Sequence, residues 1–201
     1  MIKEIARVIS RLFLSVILYS IWLIVYRMKI VGKNNIPKNE TLIFCGNHRS
    51  YFDPPAIILT NGRKTRFIAK EELKSQFPMG YICWAFDSIY VKRDGKDISS
   101  IKECIRTLKS GKCLGIFPEG TRNGMQKNDG KFKNGASYLA MKTGAKIIPV
   151  GISGNGKFFS KNIVTYGKPI DISSIKGKNK EETEDLINEK IKIEIEKLIN
   201  D

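Results

Sequence analysis

Residues 97–117 read DISSIKECIRTLKSGKCLGIF, and two periodicities meet in them. Ile98, Ile101, Ile105 and Leu108 recur at spacings of three and four, the repeat of one helical face. Asp97 stands where an N-cap belongs, and Gly111 lies just past the end. Cys113 to Phe117 then runs without a charge, as a buried strand does. A helix feeding such a strand is half of an α/β unit, and the pattern repeats outward in both directions. Upstream, 28–31, 41–45, 66–69 and 88–91 read as strands; downstream, 146–152 and 163–166 do. Ala136 to Lys142 forms another helix, stopped at Gly144. Beyond a lysine-rich linker at 176–180, Ile187, Ile191, Ile195 and Leu198 make an amphipathic stripe. The predicted fold is α/β: a mostly parallel or mixed central sheet flanked by helices, with no internal repeat.

Ahead of the first strand, 12–26 reads LFLSVILYSIWLIVY, fifteen residues without a charge, with Arg7 and Arg11 before it and Arg27 and Lys29 after. As a helix it would be about 22 Å long, short against a hydrocarbon core of about 30 Å. No small-x-small cleavage site follows, which argues against a signal peptide. Basic residues at both ends give no positive-inside asymmetry. The expectation is a hydrophobic helix associated with the membrane, lodged in one leaflet, with a tilted single span as the competing reading. On this reading 1–27 is the anchor, 28–201 is the functional domain, and the protein sits at the cytoplasmic face of the cell membrane.

Thirty-five Lys and Arg against twenty Asp and Glu leave a formal charge of +15. Such a surface draws polyanions: nucleic acid, anionic lipid or an acidic carrier protein. No helix-turn-helix or zinc-finger pattern supports nucleic acid, which is not expected as a partner. Cys45, Cys83, Cys104 and Cys113 form no CxxC, and His48 is the single histidine, so no metal site is expected. The cysteines read as small buried hydrophobes.

In open α/β sheets ligands bind beyond the carboxyl ends of strands. After Cys45 the chain continues Gly46-Asn47-His48-Arg49-Ser50-Tyr51-Phe52-Asp53-Pro54-Pro55. Imidazole can take a proton from an attacking hydroxyl, and a carboxylate on its other nitrogen fixes the tautomer. If Asp53 caps a helix beginning at Pro54, the turn between could bring the two side chains together. Taken alone, H-x4-D is a common spacing that a loop histidine beside an N-capping aspartate also satisfies. Ser50 lies nearby, but the nucleophile elbow G-x-S-x-G is absent. After the strand 113–117 comes Pro118-Glu119-Gly120-Thr121-Arg122. Arginine's planar fork matches phosphate oxygens, Thr121 adds a hydroxyl, and Gly120 permits close backbone approach. Glu119 could hold Arg122 or bond a substrate hydroxyl. Lys92, Arg93 and Lys70 stand at two further strand ends as additional anion contacts. Residues 78–86 are apolar and aromatic, either core or the lining of an acyl tunnel. The segment 151–158 nearly spells a P-loop, but Phe158 occupies the position of the magnesium-binding hydroxyl.

Asn47-His48-x4-Asp53, the strand end at Arg93, Phe117-Pro118-Glu119-Gly120-Thr121-Arg122 and Ile148-Pro149-Val150 together resemble the four ordered blocks of the glycerolipid acyltransferase family, and most nearly its 1-acylglycerol-3-phosphate acyltransferases. The second block is loose, with Asp87 and Tyr90 where small or apolar residues are usual. The resemblance implies transfer of an acyl group from acyl-CoA or an acyl carrier protein to a lysophospholipid, giving phosphatidic acid in phospholipid biosynthesis. It implies His48 as general base, Asp53 as its orienting partner, and Glu119, Gly120, Thr121, Arg122, Arg93 and Lys70 as acceptor-binding residues, with no cofactor or metal. Glycerol 3-phosphate or another lysolipid remains an alternative acceptor, and a non-catalytic basic protein coating an anionic phospholipid membrane is the rival from another class.

Overall fold

Leu42–Gly46, five consecutive buried residues, form the middle strand of a seven-stranded sheet. In the computed structural model, which describes residues 2–24, 27–92, 97–122, 132–154, 159 and 161–200, the order of elements is α1 (Ile2–Ile24), β1 (Met28–Val31), β2 (Leu42–Gly46), α2 (Asp53–Thr60), β3 (Thr65–Lys70), α3 (Met79–Ala85), β4 (Ile89–Val91), α4 (Ile98–Lys109), β5 (Cys113–Ile116), α5 (Gly135–Thr143), β6 (Lys146–Gly154), β7 (Asn162–Tyr166) and α6 (Lys180–Asn200). The strands lie in the order β1-β7-β6-β2-β5-β3-β4, parallel throughout except for β6 against β7. The mixed sheet flanked by helices is the architecture the alternation of periods predicts, and strand ends differ from those expected by a residue or two.

Successive side chains of a strand face opposite sides, so β2 feeds two cores. Ile43 and Cys45 join Cys104 and Leu108 of α4, Leu139 of α5 and Ile187, Ile191 and Ile195 of α6. Leu42 and Phe44 join Ala56 and Ile57 of α2 with Ile148, Val150 and Tyr166 on the opposite face. Each such aliphatic or aromatic side chain contributes roughly 1.5–3 kcal/mol when fully buried. Close approach fixes one glycine: a Cβ on Gly151 would lie 2.5 Å from the Cβ of Leu198, so the last helix presses directly onto β6.

Helix ends follow local chemistry. Pro54 and Pro55 occupy the first turn of α2, where a missing N–H costs nothing. Asp97 caps α4 by accepting from the Ser100 N–H at 3.1 Å. Gly144 ends α5 in the left-handed conformation, at φ 72. The helix expected from Ile98, Ile101, Ile105 and Leu108 is α4; of that stripe Leu108 is buried and Ile105 packs against the core, Ile98 and Ile101 are exposed, and Ser100, Cys104 and Thr107 complete the buried face. A helix the sequence did not announce is α3, in the apolar stretch 78–86.

Burial keeps the cysteines as thiols; desolvation pushes Cys104 up to about 12. All four are free, and Cys45, Cys104 and Cys113 are buried. The near-P-loop is β6 as far as Gly154; residues 155–158 lie outside the described residues.

The first helix begins ten residues before the uncharged run, at Ile2. It packs on α3 and α2. Its docked side buries Leu18 and carries polar contacts: Arg11 Nε donates to the Ala85 carbonyl at 2.9 Å, Tyr81 donates to the Ser10 hydroxyl at 2.8 Å, and Arg7 lies over the Trp84 ring. Arg7 also pairs with Asp87, at 3.3 Å, and Arg66 joins Asp87 to Glu103 at 3.0 and 2.7 Å. The outer side carries exposed Ile5, Val8, Ile9, Leu12, Phe13 and Val16. Among the described residues no helix is long and apolar enough to cross a membrane, so the tilted single span finds no support.

Candidate active site

The parallel strands β2, β5, β3 and β4 end at the same edge of the sheet, and a cavity of about 420 Å³ opens there. His48 stands two residues past the end of β2. Asn47 fixes the chain on the way: its Nδ2 donates to the Ile152 carbonyl at 2.9 Å, and its Oδ1 accepts from the Ile152 N–H at 2.7 Å. A buried side-chain amide thus extends the β2–β6 pairing one step beyond the backbone ladder.

Asp53 is the first residue of α2, yet its carboxylate makes no cap bond forward into the helix. It turns back instead. Oδ2 accepts from the backbone N–H of Arg49 at 2.6 Å and of Ser50 at 2.7 Å, and lies 2.9 Å from His48 Nδ1. The expected capping geometry is therefore corrected: the five-residue spacing works because the turn wraps around the carboxylate. A carboxylate only accepts, so the ring proton belongs on Nδ1 and Nε2 is left as the accepting nitrogen. Asp53 itself is 4% exposed. The imidazole also lies flat on Phe117, with centroids 4.1 Å apart, and Phe117 leans on Phe67 of β3 at 5.3 Å. Phe67 in turn occupies the space that a side chain on Gly115 would fill.

From β5 the loop 117–122 supplies the cationic wall. Gly120, Thr121 and Arg122 line the cavity together with His48 and Lys70. The Arg122 guanidinium stands 3.9 Å above the Tyr51 ring, a cation–π contact that bridges the two loops. Glu119 does not line the cavity. It is 2% exposed and accepts from the His48 backbone N–H at 2.9 Å, which ties the third loop to the first. Arg93 lies outside the described residues.

Three lining residues carried no usable signal in the sequence. Phe117 reads as the last strand residue, Tyr51 as a loop aromatic, and Lys133 as one lysine among many. Lys133 donates its N–H to the Pro118 carbonyl at 2.8 Å, and a Cβ on Gly120 would meet its Cε at 2.6 Å. The lysine stem therefore crosses the face of Gly120, whose φ of 66 also favours glycine.

Apolar side chains form another part of the cavity wall: Pro55 and Ile58 of α2, Met79 and Ile82 of α3, and Phe86 just past its end. Cys83 belongs to this wall as well; burial pushes its thiol up, against a smaller opposite effect from a Ser88 hydrogen bond. A protonated thiol is a poor nucleophile. Among the described residues no group of three or more His, Cys, Asp or Glu side chains could hold a metal ion. The cavity thus joins an oriented imidazole, the cations Lys70 and Arg122 and an apolar wall in one space.

A model of the family described as Acyltransferase matches residues 27–153. The 1-acyl-sn-glycerol-3-phosphate acyltransferase of Borreliella burgdorferi is 34% identical over 72% of this chain and 58% of its own length. A chloroplastic 1-acyl-sn-glycerol-3-phosphate acyltransferase of Arabidopsis thaliana is 31% identical over 79% of this chain and 45% of its own. The chain therefore spans about half the length of these curated relatives. The crystal structure of the 1-acyl-sn-glycerophosphate (LPA) acyltransferase from Thermotoga maritima superposes with a TM-score of 0.63 at 30% identity, covering 85% of this chain and 71% of that one.

Proposed function

The chain belongs to the acyltransferase family, and from that premise we propose that it transfers a fatty acyl group from an acyl thioester to the free hydroxyl of a lysophospholipid, 1-acylglycerol 3-phosphate giving phosphatidic acid. The observation that carries this reading is one cavity lined by His48, which Asp53 orients from behind, the cations Lys70 and Arg122, and an apolar wall.

The acceptor's phosphate sits against Arg122, Lys70 and Thr121, with the backbone near Gly120 close enough to follow it. Its hydroxyl meets Nε2 of His48. As the oxygen attacks the thioester carbonyl carbon, the imidazole takes its proton, and Asp53 stabilises the imidazolium through Nδ1. The C–O bond forms, the C–S bond breaks, and the proton passes to the departing sulfur. The products are the acylated lipid and a free thiol. Neither a covalent enzyme intermediate nor a cofactor enters this reaction. Glu119 acts by holding the first loop, and the acyl chain occupies the slot between α2 and α3.

The same reading assigns α1 to one leaflet at the cytoplasmic face of the membrane, its exposed apolar side in lipid and the side bearing Arg7, Arg11 and Leu18 on the protein. An anionic phospholipid surface suits the +15 chain, at about 1 kcal/mol per well-placed cation.

The test is thiol release from an acyl thioester by the purified full chain, with and without 1-acylglycerol 3-phosphate. Release that requires the acceptor, and a His48→Ala protein whose kcat falls about 10²–10⁴-fold with unchanged vesicle binding, is the expected result. Full activity in His48→Ala would sink the mechanism. Equal rates with glycerol 3-phosphate would move the assignment to another acceptor.

A further inference from the structure

Tyr51 is 42% exposed and belongs to no helix or strand, yet the chain is held on both sides of it. Before it, the backbone N–H groups of Arg49 and Ser50 donate to Asp53 Oδ2 at 2.6 and 2.7 Å. After it, the Phe52 N–H donates to Ser50 Oγ and the Asp53 N–H to the Ser50 carbonyl, each at 3.2 Å. The turn that orients His48 therefore also fixes Tyr51, whose ring reaches the neighbouring loop and lies 3.9 Å from the Arg122 guanidinium carbon. Both side chains line the cavity.

Glu119, the residue the sequence offers for holding Arg122, turns to the His48 N–H instead. Among the described residues no carboxylate comes within ion-pair distance of the Arg122 guanidinium; its recorded contact is the Tyr51 ring. The choice of partner has a chemical consequence. A carboxylate would neutralise the cation and occupy the N–H groups that a phosphate needs. A ring does neither. It covers a face of the planar group, whose N–H donors all point outward within the plane.

We propose that Tyr51 is a positioning residue that sets selectivity for a phosphate-bearing acceptor: its ring holds Arg122 at the cavity wall and leaves both the charge and the donor edge to the phosphate. The inference rests on the acyl-transfer reading and deepens it by adding a residue to the acceptor site. Because the turn carrying Tyr51 is also the turn around Asp53, the grip on the phosphate and the base that meets the hydroxyl are set by one piece of chain. Their spacing is in place before the acceptor arrives.

The experiment compares the full chain with Tyr51→Phe and with two variants that remove the ring, Tyr51→Leu and Tyr51→Gln, with thermal melts beside the kinetics. KM and kcat are measured with one acyl thioester and two acceptors, 1-acylglycerol 3-phosphate and 1-acylglycerol, which keeps the hydroxyl and acyl chain without the phosphate. Removing the ring should raise KM for the phosphate-bearing acceptor about three- to thirtyfold, the span of a cation–π contact, with a smaller change in kcat and none in KM for 1-acylglycerol. Tyr51→Phe keeps the ring and should restore the wild-type KM. In an Arg122→Gln background, Tyr51→Leu should add no further loss, because the contact is already gone. An unchanged KM without the ring, equal losses with both acceptors, a Tyr51→Phe protein that behaves as Tyr51→Leu, or losses that add in the Arg122→Gln background overturn the proposal. Where the wild type accepts only the phosphate-bearing lipid, the Arg122→Gln background decides. If it transfers to neither acceptor, the acyl-transfer reading fails, and calorimetric titration with a short-chain 1-acylglycerol 3-phosphate decides Tyr51 on its own. Binding weakened in Tyr51→Leu and restored in Tyr51→Phe supports the proposal; equal binding in all three, or none by the wild type, overturns it.

Discussion

The Phe117 ring lies within 12° of parallel to the His48 imidazole, so the residue just after one strand acts as a table for a side chain following another. Asp53 fixes the ring's rotation through Nδ1, and Phe117 fixes its plane. Phe117→Leu keeps an apolar side chain but loses the flat contact. In the proposed reaction its kcat should fall by up to about 10²-fold, the scale set by an ångström of misplacement, with little change in either KM. Steady-state kinetics beside a thermal melt check this; an unchanged kcat would reduce the stack to packing.

Gly120 combines a left-handed backbone with a lysine stem across its face. An alanine there meets strain of roughly 1–2 kcal/mol and must push Lys133 aside. For a chain of this length that lowers Tm by about 2–8 °C. Gly120→Ala should also raise KM for a phosphate-bearing acceptor more than it lowers kcat, because the displaced group is a cation on the cavity wall. Equal kinetics for the two proteins would remove Lys133 from the acceptor site.

Leu12 and Phe13 face outward from α1, away from the polar contacts made by Arg7, Ser10 and Arg11. Replacing either with Glu should weaken binding to phosphatidylglycerol vesicles on the order of tenfold or more, since each buried apolar side chain is worth roughly 1.5–3 kcal/mol. The melting temperature should not move. Undiminished vesicle pelleting would defeat the placement of α1 in a leaflet.

Asp97 is held well below the usual carboxylate range, first by the Ser99 hydroxyl and then by the N–H groups of Lys92 and Ser100. Its folded pKa is depressed, so its contribution is complete above the unfolded value of about 3.9 and is lost as acidification carries the pH through and below that value. Lowering the pH from about 5 to about 3 should therefore reduce Tm less in Asp97→Asn than in the wild type. Identical acid sensitivity in the two proteins would show that the cap does not report on proton binding.

The sheet was legible because strands and helices alternate with clear periods and with caps at Asp97 and Gly144. What escaped the sequence has physical reasons. Residues 79–85 are almost wholly apolar, so α3 shows no polar face to betray its period. In α4 the buried face is completed by Ser100, Cys104 and Thr107 beside Leu108, small or polar residues that a pattern of large apolar side chains does not mark. The His48–Asp53 pair could be suspected from its spacing, but the backward turn of the carboxylate depends on two backbone amides that no residue type announces. Phe117 and Lys133 reach the cavity only because β2 and β5 are neighbours and Gly120 is bare.

Asp87 carries the last point. It holds Arg7 of the first helix and Arg66 of β3 at once, in a left-handed conformation at φ 55, and its two chain neighbours, Phe86 and Ser88, both face the cavity. A pull on the amino-terminal helix is therefore delivered to the pocket wall through Asp87, one peptide unit away, as well as through the contacts of α1 with α3. Amputating that helix would leave Arg66 with a loosened clasp and the oily slot with a slackened side.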